Sequence, residues 1–170
     1  MSQARVHTLK GNPITLLGPE LKPGDKAPDA TVRKSLTEEV RLSAYAGKIR
    51  LISSVPSLDT GVCDAQTRRF NEEAAKLGED VVVLTISADL PMAQARWCGA
   101  AGVDRVVVLS DYKDMDFGNK YGVHIQELRL DMRAVFVIDK DDVIRYVQVL
   151  GEMTEHPDYD AAIAAVKSLL

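Results

Sequence analysis

An α/β fold, with a mixed β-sheet covered by helices on both faces, is predicted by three features of the 170-residue sequence. Short apolar runs alternate with stretches of helical period between residues 49 and 121. A strand–turn–strand signature appears only late, at residues 134–149, and an amphipathic stretch closes the chain. Alternation of this kind implies parallel strands joined through helices, to which the late hairpin adds antiparallel partners. At this length about two-thirds of the unfolded chain's surface is buried on folding, enough for a core without staples. The composition, 46% hydrophobic and 27% charged, fits one domain over residues 1–170.

In chain order, Val6–Leu9 and Ile14–Leu17 are β-prone runs around Lys10-Gly11-Asn12-Pro13, which predicts a small hairpin appended within residues 1–20. Residues 21–29 carry Pro23, Gly24 and Pro28 and read as extended surface chain. Ile49–Val55, Val81–Ser87 and Val106–Ser110 are strand candidates, separated by helices over Cys63–Leu77 and Pro91–Cys98. A short helical stretch follows at Phe117–Tyr121. Ala134–Ile138 and Val143–Val149 flank Asp139-Lys140-Asp141-Asp142 as a hairpin, and Tyr159–Leu170 forms the last helix. A thioredoxin-like sandwich, with a mixed central sheet, flanking helices and an added N-terminal β-hairpin, satisfies this order.

Charge and composition exclude several partners. Lys plus Arg number 21 and Asp plus Glu 25, a net charge of −4, so the chain lacks the basic footprint of a nucleic-acid or anionic-membrane binder. No apolar stretch has the length of a transmembrane helix or of a signal-peptide core, and a cytoplasmic location is expected. In such a reducing compartment two cysteines, Cys63 and Cys98, are reactive or buried thiols rather than a permanent staple.

Cys63, Thr67, Phe70, Ala74 and Leu77 fall at offsets 0, 4, 7, 11 and 14, one face of a helix, so Cys63 faces inward. It also lies in the first turn, where unpaired N–H groups and the positive end of the helix dipole favour an anion such as a thiolate. Position alone suits a small core hydrophobe better than a reactive thiol. The neighbouring string adds chemistry: Pro56, Thr60 and Cys63 form P-x-x-x-T-x-x-C. That pattern resembles the active-site signature of the peroxiredoxins. The run SSVPSLDTGVCDAQTRRFNEEA, together with RWCGAAGV and RAVFVIDKDDVIRYVQ, is similar to the thiol peroxidase, or atypical 2-Cys, subfamily. That subfamily usually has proline where this chain has Gly61.

The resemblance implies reduction of hydrogen peroxide and organic hydroperoxides, without metal, flavin or other cofactor. For any thiol, a pKa lowered from 8.5 to about 6 raises the thiolate fraction at pH 7 roughly thirtyfold but costs about tenfold in nucleophilicity. Donors that hold both peroxide oxygens in the transition state must therefore supply most of the rate. By resemblance, Thr60 hydrogen-bonds the thiolate and the peroxide, backbone N–H groups at Val62 and Cys63 face the oxygens, Pro56 shields the pocket, and Arg133 stands beside the sulfur. Without the motif, Thr60 reads as an N-cap, Arg133 as a solvated charge and Pro56 as a strand terminator.

Leu90, Ala93 and Trp97 predict the apolar face of the second helix. Cys98 then lies on a more polar, half-exposed flank, and Gly99 is the expected C-terminal cap. There the negative end of the helix dipole keeps a thiol protonated. With the resemblance, attack on peroxide falls to Cys63 and resolution to Cys98: a sulfenic acid condenses to an intramolecular Cys63–Cys98 disulfide, which a dithiol protein such as thioredoxin reduces. A homodimer whose active-site edges meet is likewise implied. An inward Cys63 and a flanking Cys98 require local unwinding to join.

Two other readings stand beside this one. A non-enzymatic redox switch would use the same disulfide to remodel a surface that partner proteins read. A Cys/His hydrolase would need His124 as its base. The sequence has no C-x-x-C, no P-loop and no G-x-G-x-x-G, and Cys63 and Cys98 with His7, His124 and His156 match no zinc-ligand spacing.

Overall fold

The computed structural model describes residues 6–170. Its main sheet has seven strands, built around β6 (Ile49–Ser54), β7 (Val81–Ser87) and β8 (Val107–Ser110), which pair in parallel. Antiparallel to β6 runs β11 (Ala134–Ile138), followed by β12 (Ile144–Val149). On the far side, β4 (Thr31–Arg33) and β5 (Glu39–Arg41) extend the sheet beyond β8. These two short edge strands fall in a stretch for which the sequence predicts no element. They have three residues each and too few apolar positions to show a period.

Every residue of β6 is buried, as a central strand covered on both faces requires. Ile49 and Leu51 point to a layer with Phe70, Val135, Val137, Ile163 and Val166 beneath α1 (Gly61–Leu77) and α4 (Tyr159–Lys167). Ile52 points to the opposite layer, where Phe117 and Tyr121 of α3 (Asp116–Tyr121) stack at 4.7 Å and meet Phe136 edge-on. The chain leaves β6, β7 and β8 at one edge, and there the loops carrying the cysteines and their neighbours gather.

The N-terminal hairpin is present with a different register from that expected. It pairs β1 (His7–Leu9) with β2 (Asn12–Ile14), so the turn is Lys10-Gly11 alone, both at positive φ as a tight primed turn demands. The second run splits, since β3 (Leu16–Leu17) leaves the hairpin and joins β9 (His124–Ile125), itself paired with β10 (Leu130–Asp131). Val6 lies outside the strand, and the part of the appendage in residues 1–5 lies outside the described residues. The hairpin docks on the segment after β12: the Thr8 N–H donates to the Gly151 carbonyl, and the Met153 N–H to the Thr8 carbonyl.

The second helix, α2 (Pro91–Ala101), also departs from expectation. It ends at Gly102, in the left-handed region with φ 69°, and Gly99 lies inside it, carried through by the helix-favouring Ala100 and Ala101. Of the face predicted from Leu90, Ala93 and Trp97, only Trp97 packs inward, against the Cys63 cluster; Leu90 and Ala93 are exposed, and Pro91 and Gln94 are buried instead. Leu90 is the N-cap, outside the helical period, and Gln94 is drawn in because its amide donates to Ser87 Oγ and to the Leu109 carbonyl, both at 2.9 Å.

A second buried polar feature lies beyond β8. Asp111 accepts the N–H groups of Phe117 and Gly118 at 3.0 and 2.9 Å. Asp131 is fully buried against it, and no N–H or hydroxyl donor reaches its oxygens. Burial, then the neighbouring Asp111 charge, holds the Asp131 carboxyl well above the ordinary carboxylate range. The pair therefore keeps a proton in the fold that the unfolded chain releases. With folding taking up a proton, stability falls as pH rises above about 4, by up to ~1.4 kcal/mol per unit until the pair itself titrates. Asp131→Asn, whose amide can donate to Asp111 without that proton, is expected to flatten the profile and to be the more stable chain at pH 8. Urea unfolding from pH 5 to 8 measures both; parallel profiles would refute the shared proton.

Candidate active site

Pro56 is buried two residues past the end of β6, where the chain turns toward α1. Thr60 is the helix N-cap by backbone geometry, with φ −101° and ψ 149°, and its carbonyl accepts the Asp64 N–H. Its side chain does not cap. The exposed hydroxyl donates back to the Ser57 carbonyl at 3.1 Å, a local turn bond that competes with capping. Thr60 thus stands in the loop ahead of the cysteine, with its hydroxyl engaged to Ser57 and not to the sulfur. Gly61 opens the helix, the position that proline favours, and a Cβ placed there would have open space.

Cys63 is fully buried, packed with Val55 and Leu58 beneath Trp97 and Val108. The predicted inward stripe is present: Thr67, Phe70 and Leu77 are buried beside it, and Ala74 packs against their cluster. Val62 is half-buried. Gly61, Val62 and Cys63 form the first turn, whose N–H groups have no intrahelical acceptor.

Arg133 lies beside the sulfur. Sited between β10 and β11, it is 2% exposed and spends its donors on three acceptors: the Met153 carbonyl at 2.7 Å, Gln66 Oε1 at 3.0 Å and Cys63 Sγ at 3.2 Å. None of the ion pairs among the described residues involves it, so the sulfur is the one partner able to bear negative charge. Gln66 is also fully buried and fixes the guanidinium while donating to Ser53 Oγ at 2.7 Å. Sequence reasoning did not pick out Gln66. The available signal was a polar residue three places after Cys63, on the inward stripe. Met153 takes its place from the N-terminal hairpin through Thr8, so the hairpin supports the arginine.

Cys98 is a half-buried free thiol in the last turn of α2, and burial pushes its pKa up. Proximity to the helix end is as expected. The cap, Gly102, falls three residues after the expected Gly99, and Cys98 shares its helix face with the buried Pro91 and Gln94. Cys63 is likewise a free thiol. The two cysteine helices are clipped at the surface by Arg68, which pairs with Asp64, donates to the Ala101 carbonyl at 3.2 Å and lies over the Trp97 ring at 5.7 Å.

His124 is engaged elsewhere, with Nδ1 2.7 Å from Asn119 Oδ1, and burial followed by Arg129 pushes its pKa down. The group beside Cys63 is a guanidinium, which cannot act as the base a hydrolase needs. Among the described residues no three His, Cys, Asp or Glu side chains gather as a metal site, and no helix is long and apolar enough to cross a membrane.

The redoxin family pattern matches residues 22–163. The thiol peroxidase of Bacillus subtilis (strain 168) is 58% identical over 163 residues, covering 96% of this chain and 97% of that protein. That of Staphylococcus aureus (strain MRSA252) is 56% identical over 162 residues, covering 95% and 98%. Among solved structures, a peroxiredoxin-like protein from Aquifex aeolicus superposes with a TM-score of 0.91 at 44% identity, covering 98% of both chains. A thiol peroxidase from Chromobacterium violaceum, at 19% identity and a TM-score of 0.85 over 98% of this chain and 97% of that one, shares the fold.

Proposed function

The chain belongs to the redoxin family, among its thiol peroxidases, and on that premise we propose that it reduces hydrogen peroxide and organic hydroperoxides at Cys63. The observation that carries this reading is the contact between Cys63 Sγ and a buried guanidinium that lacks a carboxylate partner. Sulfur attacks one peroxide oxygen, the O–O bond breaks, and the leaving oxygen takes a proton to depart as water or an alcohol. Arg133 is held by Gln66 and Met153 before substrate arrives, so its field costs no reorganisation at the moment of reaction. The free N–H groups of Val62 and Cys63 serve the same developing charge, and Thr60 joins them by turning its hydroxyl from Ser57 to the incoming oxygen. Pro56 closes the floor of the pocket against water.

Resolution falls to Cys98. Its half-buried thiol, protonated at rest, gives up its proton as the sulfur attacks the Cys63 sulfenic sulfur; the S–O bond breaks, the leaving hydroxide takes that proton and departs as water, and a Cys63–Cys98 disulfide results. A dithiol protein of the thioredoxin type reduces it in the reducing environment of the cytoplasm. The groove lined by Asp59, Met92, Arg96 and Trp97 lies between the two cysteine segments and, with Met92 52% exposed, suits the meeting edge of a homodimer or the docked reductant.

Mixing the reduced chain with one equivalent of hydrogen peroxide is expected to consume both thiols and to leave one Cys63–Cys98 disulfide in the peptide map. The rate should lie orders of magnitude above that of free cysteine. A gain of only the two- or threefold available from thiol ionisation would support the redox-switch reading instead.

A further inference from the structure

The loop ahead of Cys63 and the helix that carries Cys98 are joined at their bases by one carboxylate. Asp89 lies between β7 and the N-cap of α2. Its Oδ1 accepts from Ser57 Oγ at 2.7 Å, and its Oδ2 accepts from the Leu58 N–H and from Ser87 Oγ, both at 2.8 Å. Ser57 is a hub in turn: its carbonyl accepts the Thr60 hydroxyl and N–H, and its Oγ accepts the Asp59 N–H. Leu58, fixed by its backbone, is 2% exposed and packs on Cys63. Asp89 touches neither sulfur, and the peroxide chemistry above does not use it.

We propose that Asp89 is a latch: a positioning residue that keeps the 57–60 loop seated ahead of α1 and so sets the competition between disulfide closure and a second oxidation of Cys63. This rests on the peroxidase reading. Cys63 is fully buried while Cys98 is half-exposed on another helix, so the sulfenic acid must leave its apolar cluster before the sulfurs can join. The loop that must move first is the one held to Asp89 by two charge-assisted hydrogen bonds. While it is seated, the sulfenate of Cys63 can attack a second hydroperoxide: the O–O bond breaks, an alcohol or water leaves, and a sulfinate remains. Once it is released, the Cys98 thiol attacks the sulfenic sulfur and water leaves. Asp89 precedes the N-cap of α2, at the opposite end of that helix from Cys98, so its bonds restrain the 57–60 loop and leave the resolving thiol where it is.

The test compares wild type, Asp89→Asn and Ser57→Ala as full-length reduced chains cycling with dithiothreitol under rising hydrogen peroxide. Intact mass reports the sulfinate fraction, and rapid quenching reports disulfide closure. Asp89→Asn is expected to need about tenfold more peroxide for half-inactivation and to close its disulfide faster by a similar factor. Ser57→Ala, which deletes one of the two loop bonds to Asp89 together with the Asp59 N–H bond to Ser57 Oγ and keeps the carboxylate, should move both in the same direction by about threefold. A purely structural role would lower thermal stability and leave the partition between sulfinate and disulfide unchanged. An unchanged or increased sulfinate fraction in the variants overturns the latch, and Ser57→Ala decides alone if Asp89→Asn does not fold. Wild type separates the two ideas: if it forms no disulfide with one equivalent of peroxide, the peroxidase reading fails, whereas a cycling wild type with unshifted variants removes the latch only.

Discussion

A Cys63→Ser chain is expected to consume no hydroperoxide, whereas Cys98→Ser should consume one equivalent and stop. The serine hydroxyl stays protonated at neutral pH and is a far poorer nucleophile than sulfur, so a loss of at least about 10⁴-fold in turnover is the expected scale for removal of an attacking group. The substitution is nearly isosteric and the guanidinium of Arg133 remains available to the new oxygen, so the fold should survive. Cys98→Ser leaves the attacking site intact, since Cys98 is not among the side chains packed around Cys63. Its sulfenic acid has no resolving partner and should be trapped by a dimedone-type reagent, or pass to the sulfinic acid with excess peroxide. Quenched-flow peroxide consumption with mass spectrometry reads both outcomes. Equal first-turnover rates in wild type and Cys63→Ser would move the chemistry away from Cys63, and full catalytic cycling of Cys98→Ser would remove the resolving role.

What could be read in advance follows from the range of the interactions involved. The inward stripe of α1 and the apolar runs of β6, β7 and β11 were legible because burial repeats with the local period, and the structure places them as expected. Edge strands β4 and β5, and the pairing of β3 with β9, have two or three residues each and acquire meaning only from neighbours distant in sequence. In α2 two of the three residues read as the apolar face, Leu90 and Ala93, are exposed because Gln94, hydrogen-bonded to Ser87 and Leu109, turns its own side inward, while Trp97 packs on the Cys63 cluster. Arg133 was found by resemblance to a motif and not by any periodicity, since 70 residues separate it from Cys63. Gln66 and Asp89 were missed for a related reason. A polar residue is placed by its partners, and theirs lie in β6, in the 57–60 loop and across the sheet.

Arg133→Gln is expected to slow the reaction of Cys63 with hydrogen peroxide by 10²–10³-fold, equivalent to about 2.7–4 kcal/mol of transition-state stabilisation, while costing little global stability. The two halves of this expectation share a cause. A guanidinium at 2% exposure is expensive to desolvate, and its three acceptors, a carbonyl, an amide oxygen and a sulfur, include no carboxylate to offset the charge. In the resting fold the arginine is therefore not a strong stabilising element, and a neutral amide that still reaches Met153 or Gln66 removes a buried charge. As the O–O bond breaks, negative charge shared by sulfur and oxygen grows within reach of that same cation, in a site from which water is excluded, and the electrostatic gain appears only there. Arg133→Lys keeps the charge but loses the fork that binds Gln66 and the sulfur at once, so its rate should fall between wild type and the glutamine variant. Gln66→Ala, which leaves the charge and frees the fork, should cost about tenfold. Stopped-flow oxidation rates set beside urea midpoints for the three variants test the pattern: losses of rate that simply track losses of stability would make Arg133 a structural residue, whereas loss of rate at near-constant midpoint assigns it to the transition state.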